Sequence, residues 1–265
     1  MIRLLALILS AALILSASLA MAGSGTAQGS DAAQTSDVPA TAPEATAPAP
    51  AGYVDLRNID VLRGATAAAG KDKSTPCAAC HGENGVSIAP MFPNLAGQPP
   101  EYLYWTLVDF KRGTRPDSPM TPLVASLSDQ DMRDLATYYA NLPPGYMTAT
   151  ATRAAAPTTA DEQELRARGE HLYLHGKPTA GIPPCQGCHG VAATGHPLAW
   201  VTGGAPRYRA YPLLRGQTAQ YLETKLNEYR AGGLRDSTND FIMQSVARHL
   251  DDEAIRALAA WLAHP

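Results

Sequence analysis

The 265-residue chain is poor in aromatic side chains and in cysteine. Only 6% of its residues are Phe, Trp or Tyr, and it has four cysteines. A hydrophobic content of 45% is enough for a buried core, but the aromatic content is low for a core built from side chains alone. Basic residues are not in excess either, with 21 Lys and Arg against 24 Asp and Glu. This balance argues against a nucleic-acid-binding protein.

The N-terminus has the three parts of a secretory signal peptide. Arg3 precedes an apolar run from Leu4 to Leu15, and residues 20–22 (Ala-Met-Ala) match an A-x-A cleavage site. Because residues 4–22 approach the ~20 residues that span a bilayer, an uncleaved membrane anchor is the alternative. Both interpretations place residues 53–265 outside the cytoplasm, and the second adds a membrane tether.

Two segments of low complexity divide the chain. Residues 23–52 are rich in Ala, Thr and Pro and have no large apolar residue beyond Val38, which predicts a disordered segment. Residues 147–160 have the same composition and predict a linker. The predicted organisation is a signal peptide or anchor (1–22), the disordered segment (23–52), domain 1 (53–146), the linker (147–160) and domain 2 (161–265).

The two predicted domains are copies of one another. The matching blocks are "CAACHG" at 77–82 and "CQGCHG" at 185–190, "NLAGQPPEYLYWTLVDFKRG" at 94–113 and "LLRGQTAQYLETKLNEYRAG" at 213–232, and "MTPLVASLSDQDMRDLATYYANL" at 120–142 and "MQSVARHLDDEAIRALAAWLAHP" at 243–265. The longer blocks have helical spacing of apolar residues. Gly113 and Gly232 stand near helix ends, and Ser128 and Asp251 suit helix starts. No sustained period-two alternation occurs. The fold class is therefore predicted to be all-α, two small helical domains with long loops between helices.

Every cysteine lies in a C-x-x-C-H motif. The motifs are Cys77, Cys80 and His81 in domain 1, and Cys185, Cys188 and His189 in domain 2. Cysteines at i and i+3 share one face of a helical turn, as the two vinyl groups of a haem require, and the following histidine can reach the iron. The motifs predict two covalently bound haem c groups, which would also supply the apolar surface that the sparse aromatic residues do not.

Three other uses of such cysteines are open. A redox-active pair expects a βαβ setting, which the sequence lacks. A four-cysteine zinc site would leave both histidines without a role, and plain disulfides would suit an exported protein. Two C-x-x-C-H motifs, each followed by glycine and in register with a longer repeat, favour haem.

Each iron needs a second axial ligand, and the repeat offers one methionine per domain. Met120 and Met243 begin equivalent blocks, and a thioether sulfur is a soft ligand that favours ferrous iron. Met91 could compete in domain 1, but it has no counterpart in domain 2. His249 could replace Met243, although a bis-histidine site would break the repeat. The predicted iron ligands are His81, Met120, His189 and Met243.

With these motifs the sequence resembles the dihaem cytochromes c of the cytochrome c4 family. The "LAGQ" segment at 95–98 and the "LRGQ" segment at 214–217 add to the likeness, which extends over about residues 59–265. The resemblance implies two class I cytochrome c domains with a pseudo-twofold axis and rapid electron exchange between haems. It further implies a periplasmic one-electron carrier, not an enzyme, between a quinol-oxidising cytochrome bc complex and a cbb-type or other haem–copper oxidase.

Two other functions are compatible with the same motifs. A membrane-tethered electron-transfer subunit of a respiratory or dehydrogenase complex would share the site chemistry. A dihaem enzyme of the peroxidase or thiosulfate-oxidising type would need an accessible iron position. The loop 191–211 is longer than its domain 1 counterpart. Arg207 and Arg209 could pair with haem propionates and Trp200 could form a docking surface, or the loop could be solvated with an apolar lid.

Overall fold

The structure is a computed structural model that describes residues 61–115, 118–148, 159–199, 206–234 and 238–264. All of these residues belong to one compact unit that begins at Ala47. The signal peptide or anchor predicted at 1–22 and the disordered segment predicted at 23–52 lie outside the described residues, as does most of the linker predicted at 147–160. Within the described ranges, no helix combines the length and apolar character needed to span a bilayer.

Five helices form the described part of domain 1, and a sixth follows them. They are α1 (Ala67–Lys73), α2 (Thr75–His81), α3 (Pro100–Arg112), α4 (Met120–Ala125), α5 (Asp129–Ala140) and α6 (Gly145–Thr148). Helix α3 ends at Gly113, which adopts the left-handed conformation. Helix α5 begins with a capping box, in which the Ser128 hydroxyl accepts from the Asp131 N–H and the Asp131 carboxylate accepts from the Ser128 N–H. Both boundaries lie where the sequence predicts them.

Domain 2 repeats this order. Its helices are α7 (Ala160–His175), α8 (Gln186–His189), α9 (Ala219–Arg230), α10 (Thr238–Ala247) and α11 (Asp252–Leu262), with 3-10 turns at Pro178–Ala180, Pro197–Ala199 and Pro206–Ala210. The Asp251 side chain caps α11, as the sequence predicts. No β-strand occurs among the described residues, in which the β-type pairing is an isolated antiparallel bridge between Lys177 and Ile182. The all-α prediction is confirmed.

The two methionine segments differ from the long loops that we expected. Met120 is the first residue of α4, and Met243 lies within α10. In domain 2 the apolar residues Ile242, Met243 and Val246 have helical spacing and share one face of α10 with Asn239. A helix therefore occupies part of the connection in each domain, and it presents the methionine from a fixed backbone.

In each domain the first helix crosses the last one at a glycine. A Cβ atom on Gly70 would lie 2.1 Å from the carbonyl oxygen of Asp134, and one on Gly169 would lie 2.0 Å from that of Ala257. Only a residue without a side chain permits so close a backbone approach. The apolar core of each domain forms around this crossing, with Leu135, Ala136 and Tyr139 in α5 and Leu258, Ala259 and Leu262 in α11.

Candidate haem-binding sites

Each C-x-x-C-H motif forms a helical turn that ends at its histidine. Gly82 and Gly190 follow with φ values of 78° and 81°, a region that favours glycine. A Cβ atom on these residues would lie 2.2 Å and 2.1 Å, respectively, from a backbone carbonyl oxygen of the loop that follows. The glycine after each motif therefore lets the chain fold back tightly over the turn.

Both histidines are buried and held by a backbone carbonyl. The Nδ1 atom of His81 is 2.9 Å from the carbonyl oxygen of Pro93, and that of His189 is 2.9 Å from the carbonyl oxygen of Pro212. When Nδ1 donates its proton to the carbonyl, Nε2 keeps its lone pair for a metal ion. Burial lowers the pKa of both imidazoles, which favours the neutral form that binds metal.

A mainly apolar cavity lies beside each motif, and each brings together the site residues predicted for its domain. The domain 1 cavity has a volume of about 280 Å³ and is lined by Cys77, Cys80, His81 and Met120. The domain 2 cavity has a volume of about 190 Å³ and is lined by Cys185, Cys188, His189 and Met243. The residues that the repeat makes equivalent therefore occupy equivalent places.

The two competing ligands have different surroundings. Met91 lines the domain 1 cavity with Met120, but its side chain is 58% exposed, whereas Met120 is half-buried. His249 is exposed, and its Nε2 accepts a hydrogen bond from Arg248 at 3.1 Å. It is not among the residues that line the domain 2 cavity. As candidate iron ligands, Met120 is favoured over Met91 because it is more buried, and Met243 is favoured over His249 because it lines the cavity.

Buried polar atoms at the cavity walls fit the carboxylate groups of a haem. Arg115 lines both cavities, and its Nε has no hydrogen-bond partner among the described residues. Asp109 lines the domain 2 cavity, and its Oδ1 likewise has none in the described ranges. Burial raises the pKa of Asp109 to about 7, Arg115 opposes this rise, and Asp240 adds to it. A buried guanidinium can donate hydrogen bonds to a haem propionate, and so can a carboxyl group in its protonated form.

The two cavities share a wall at the domain interface. Tyr102 and Thr106 from α3, and Tyr221 and Lys225 from α9, line both of them. Tyr102 and Tyr221 stand at equivalent positions of the repeat. Burial raises the pKa of Tyr221 well above its ordinary value, and the neighbouring Tyr102 phenol adds to the shift. The two sites are therefore neighbours, separated by side chains of α3 and α9.

Two of the other uses of the cysteines, the shared zinc site and the redox-active pair, do not fit this arrangement. The two cysteine pairs line separate cavities, and no group of three or more His, Cys, Asp or Glu side chains in the described part could hold a metal ion. The four cysteines therefore do not come together as one shared zinc site would require. Burial also raises the pKa of Cys77, and that of Cys185 to about 11, whereas a redox-active thiol needs a lowered pKa.

The two arginines of the loop 191–211 contact other protein groups. Arg209 donates to the carbonyl oxygen of Ala199 at 2.9 Å and lies 3.4 Å from the Glu101 carboxylate of α3. Arg207 is exposed and lies over the Tyr208 ring, 4.8 Å from its centroid. Neither arginine is among the residues that line the two cavities beside the C-x-x-C-H motifs. These contacts give no support to the propionate hypothesis for Arg207 and Arg209, and Trp200 lies outside the described residues.

Comparisons with known proteins decide the family. The sequence profile of the cytochrome c family matches residues 67–143 and 151–264. A cytochrome c4 from Azotobacter vinelandii is 38% identical over 205 residues, which cover 74% of this chain and 87% of the relative. The chain belongs to the cytochrome c4 family. It is a dihaem electron-transfer protein with two covalently bound haem c groups, as predicted, and not an enzyme.

A solved structure and a second kind of relative complete the comparison. The crystal structure of reduced recombinant cytochrome c4 from Pseudomonas stutzeri matches with a TM-score of 0.60 at 34% identity, and the match covers 76% of this chain and 98% of that chain. The prediction of two tandem cytochrome c domains is confirmed. A thiosulfate dehydrogenase electron acceptor from Stutzerimonas stutzeri strain A1501 is 34% identical over 189 residues, covering 71% of this chain and 78% of that relative.

Several site residues escaped the sequence analysis. They are the carbonyl groups of Pro93 and Pro212, the side chains of Gln98 and Gln217, and the buried pair Asp109 and Arg115. The repeated segments "PNLAGQ" at 93–98 and "PLLRGQ" at 212–217 contained the signal, because a proline and a glutamine recur in register. Asp109 has an acidic counterpart in Glu228, so the repeat contained a signal for a carboxylate there, whereas Arg115 lies between the matching blocks and left none.

Proposed function

We propose that this cytochrome carries single electrons in the periplasm from a quinol-oxidising cytochrome bc complex to a terminal haem–copper oxidase, of the cbb type or another, or to another periplasmic acceptor. One observation supports this most strongly. The two cavities, each lined by the histidine of its motif and by an equivalent methionine, share the wall formed by α3 and α9. Neighbouring redox centres allow an electron that enters one domain to leave from the other.

We propose that His81 and Met120 would hold the haem iron of domain 1, and that His189 and Met243 would hold that of domain 2. The haem iron supplies reversible one-electron chemistry. With two protein ligands, each iron would have no position for a substrate, so the chain would only accept and release electrons. The carbonyl groups of Pro93 and Pro212 hold each imidazole in one orientation. A site that moves little on a change of charge exchanges electrons with little reorganisation.

We also propose the organisation of the chain around these sites: a signal peptide or anchor at 1–22, a disordered segment at 23–52, domains at 53–146 and 161–265, and a linker at 147–160. N-terminal sequencing of the exported protein, taken from both the soluble periplasmic fraction and the membrane fraction, tests the first part. A start at Gly23 supports a freely diffusing carrier. An intact Met1 on membrane-bound protein would support the tethered electron-transfer subunit instead.

A second electron donor is suggested by the relatives. A chain 34% identical to this one is named thiosulfate dehydrogenase electron acceptor. A thiosulfate-oxidising enzyme would deliver electrons to the same two haems, so the site chemistry would be unchanged and only the docking partner would differ.

Rapid mixing separates the two donors. The oxidised cytochrome is mixed with membranes that contain the cytochrome bc complex and a quinol, and separately with a thiosulfate dehydrogenase and thiosulfate. We expect fast reduction by the first system, loss of that reduction when the bc complex is inhibited, and reoxidation by membranes that contain the oxidase. Slow reduction by the bc system and fast reduction by the thiosulfate system would overturn the first proposal in favour of the second.

A further inference from the structure

Two glutamines cross the domain interface in opposite directions. Gln98 of domain 1 donates from Nε2 to the carbonyl oxygen of Leu213 at 2.9 Å, and its Oε1 accepts from the Leu213 N–H at 3.0 Å. Gln217 of domain 2 donates to the carbonyl oxygen of Asn94 at 3.1 Å and accepts from the Asn94 N–H at 2.8 Å. All four residues are buried. Each side chain thus binds both backbone groups of one residue in the other domain.

The residue that Gln217 binds shares a peptide group with the carbonyl that holds His81. The N–H of Asn94 and the C=O of Pro93 form one planar, conjugated unit. Gln217 accepts from the N–H side of this unit at 2.8 Å, and the C=O side accepts from His81 Nδ1 at 2.9 Å. A continuous hydrogen-bonded chain therefore runs from a domain 2 side chain, through one peptide group, to the histidine of domain 1.

The second chain is built in the same way and runs in the reverse direction. The N–H of Leu213 and the C=O of Pro212 form one peptide group. Gln98 accepts from its N–H at 3.0 Å, and its C=O accepts from His189 Nδ1 at 2.9 Å. Because both chains exist, each domain contributes a glutamine to the histidine environment of the other.

We propose that Gln217 is a positioning residue for the haem of domain 1 and that Gln98 is one for the haem of domain 2. Each acts across the interface, through one peptide group, on the electron-donating strength of the axial histidine. The inference rests on the proposed function in one respect, since it takes His81 and His189 as iron ligands.

The direction of the effect follows from the polarisation of the peptide group. An acceptor on the N–H increases the negative charge on the carbonyl oxygen, and hydrogen bonds in such a chain strengthen one another. A stronger acceptor draws the Nδ1 proton, and the imidazole becomes a better donor to iron. Electron donation stabilises ferric iron. Loss of the glutamine therefore raises the reduction potential of the haem in the opposite domain.

The test uses two volume-conserving variants of the haem-loaded protein, Gln217→Met and Gln98→Met. For Gln217→Met we expect the reduced-to-oxidised ratio of the domain 1 haem, at fixed applied potential, to rise on the order of threefold, with the domain 2 haem almost unchanged. Gln98→Met gives the reverse pattern. At 59 mV per tenfold change for one electron, threefold corresponds to a shift of about 28 mV.

NMR spectra of the reduced protein identify which haem has responded. His81 lies beside Phe92, with ring centroids 6.1 Å apart, and His189 lies beside Tyr211 at 6.2 Å. Cross-relaxation with these rings assigns the Nδ1–H proton of each histidine. We expect the His81 proton to move upfield in Gln217→Met and the His189 proton to do so in Gln98→Met, because a weaker hydrogen bond shields the proton.

Thr218→Val is the matched control. The Thr218 hydroxyl also bonds across the interface, to the carbonyl oxygen of Pro90 at 2.6 Å, but that peptide group holds neither histidine. Thr218 also caps α9 by accepting from the Tyr221 N–H at 3.4 Å, so we expect this variant to be less stable but to leave both potentials and both Nδ1–H signals unchanged. If a methionine variant does not fold, Gln217→Asn and Gln98→Asn shorten the side chain, keep its polarity and should show the same crosswise pattern.

Four results would contradict the proposal. A shift on the haem of the substituted domain, an equal shift of both haems, a shift in Thr218→Val as well, or no shift would each overturn the proposal. Failure of the ligand assignment has its own signature, which is a His81 or His189 ring in the unsubstituted protein that does not respond to oxidation of the iron.

Discussion

Domains 1 and 2 hold the same helix crossing by different means. In domain 1 the buried carboxylate of Asp134 accepts hydrogen bonds at the α1–α5 crossing from the Thr66 N–H at 2.9 Å, from Lys73 at 2.6 Å and from Gln130 at 3.0 Å. Domain 2 has Ala257 at the equivalent position of the repeat. The same backbone geometry is thus stabilised by a polar network in one domain.

Domain 2 has apolar contact in the interior of the corresponding crossing, and an Arg168–Glu253 ion pair lies at its surface. Tyr173 of α7 is fully buried, and its ring lies 4.7 Å from the Trp261 ring of α11. The Trp261 ring also contacts Arg215, whose guanidinium carbon lies 3.8 Å from the ring centroid. Since the duplicated domains exchange a buried polar network for buried aromatic packing, the fold depends on the close crossing itself and less on the chemistry around it.

The two domains also differ beside the histidines of their motifs. Asn94, beside the peptide group that holds His81, accepts from the Ser87 N–H at 2.8 Å and donates to the carbonyl oxygen of Gly216 at 2.9 Å. Its equivalent beside His189 is Leu213, whose side chain can form no hydrogen bond. Two sites with the same proposed ligands can therefore have different reduction potentials.

Substitution of the axial methionines should give the largest effect. We expect Met120→Ala to lower the potential of the domain 1 haem, and Met243→Ala that of the domain 2 haem, each on the order of 100 mV or more, because a soft ligand that favours ferrous iron is lost. The fold should persist because both thioether bonds remain. Redox titration followed by absorbance checks this.

Met91→Ala is the control for the methionine variants, because Met91 lines the domain 1 cavity without a counterpart in domain 2. We expect it to leave both potentials nearly unchanged. A large drop in Met91→Ala, combined with none in Met120→Ala, would show that Met91 is the ligand.

The glycines at the helix crossings should give the next largest effect. In Gly169→Ala the new Cβ would lie 2.0 Å from the carbonyl oxygen of Ala257, so the backbones must separate. We expect a loss of about 2–3 kcal/mol in the free energy of unfolding, and a similar loss for Gly70→Ala. Denaturant titration measures both. Gly187→Ala is the control, because nothing lies within 4 Å of its Cβ position, and an equal loss there would refute the argument.

The polar network should make domain 1 the more acid-sensitive domain. Burial raises the pKa of Asp134, but the hydrogen bonds from Lys73, Thr66 and Gln130 outweigh it, so the pKa lies below the ordinary value of 3.8. A lowered carboxyl pKa contributes stability that is present above the unfolded pKa and is lost as the pH falls through the folded pKa.

Asp134→Ala tests this network. We expect a loss of about 1–3 kcal/mol near neutral pH, because buried partners are left without a hydrogen bond. The difference between variant and unsubstituted protein should shrink as the pH falls below 3.8. Denaturant titrations at several pH values measure it, and a difference that stays constant with pH would contradict the role of the charge.

The smallest effect should be a pH dependence confined to one haem. Asp109 faces the domain 2 cavity, and burial raises its pKa to about 7, with Arg115 and Arg112 opposing and Asp240 reinforcing the rise. Ionisation above that pH adds negative charge beside the cavity and stabilises ferric iron. The potential of the domain 2 haem should therefore fall as the pH rises through 7.

Asp109→Asn removes this ionisation and should flatten the dependence. Each unit by which the pKa of Asp109 differs between the ferric and ferrous forms contributes about 59 mV. Titration of both potentials over this pH range checks the prediction. An unchanged slope in Asp109→Asn would assign the dependence to another group.

Local signals made much of the fold predictable from the sequence. Ser128 and Asp251 cap helices where the sequence predicts them, because capping depends on residues within one turn. The internal repeat predicted which residues would share a cavity. The backbone contact at Gly70 and Gly169 was not predicted, since a glycine within a helical segment has no local signature of what crosses it.

The parts of the site that escaped prediction depend on contacts between distant segments. The Gln98 bond to Leu213 and the Gln217 bond to Asn94 join the two domains. Arg115 gains its role only because α3 and α9 meet at a shared wall. No helix was predicted at Met120 or Met243, because a short helix that faces a cofactor cavity lacks the extended pattern of a core helix.

The most direct test is the state of iron in the oxidised protein as isolated. Haem content after alkaline pyridine treatment, combined with electron paramagnetic resonance and the weak long-wavelength absorption band of methionine-ligated ferric haem, counts the haems and identifies their ligands together. We predict two covalently bound haems per chain, both low-spin and both with histidine and methionine ligands. A single haem, or one high-spin iron that binds cyanide readily, would contradict the account.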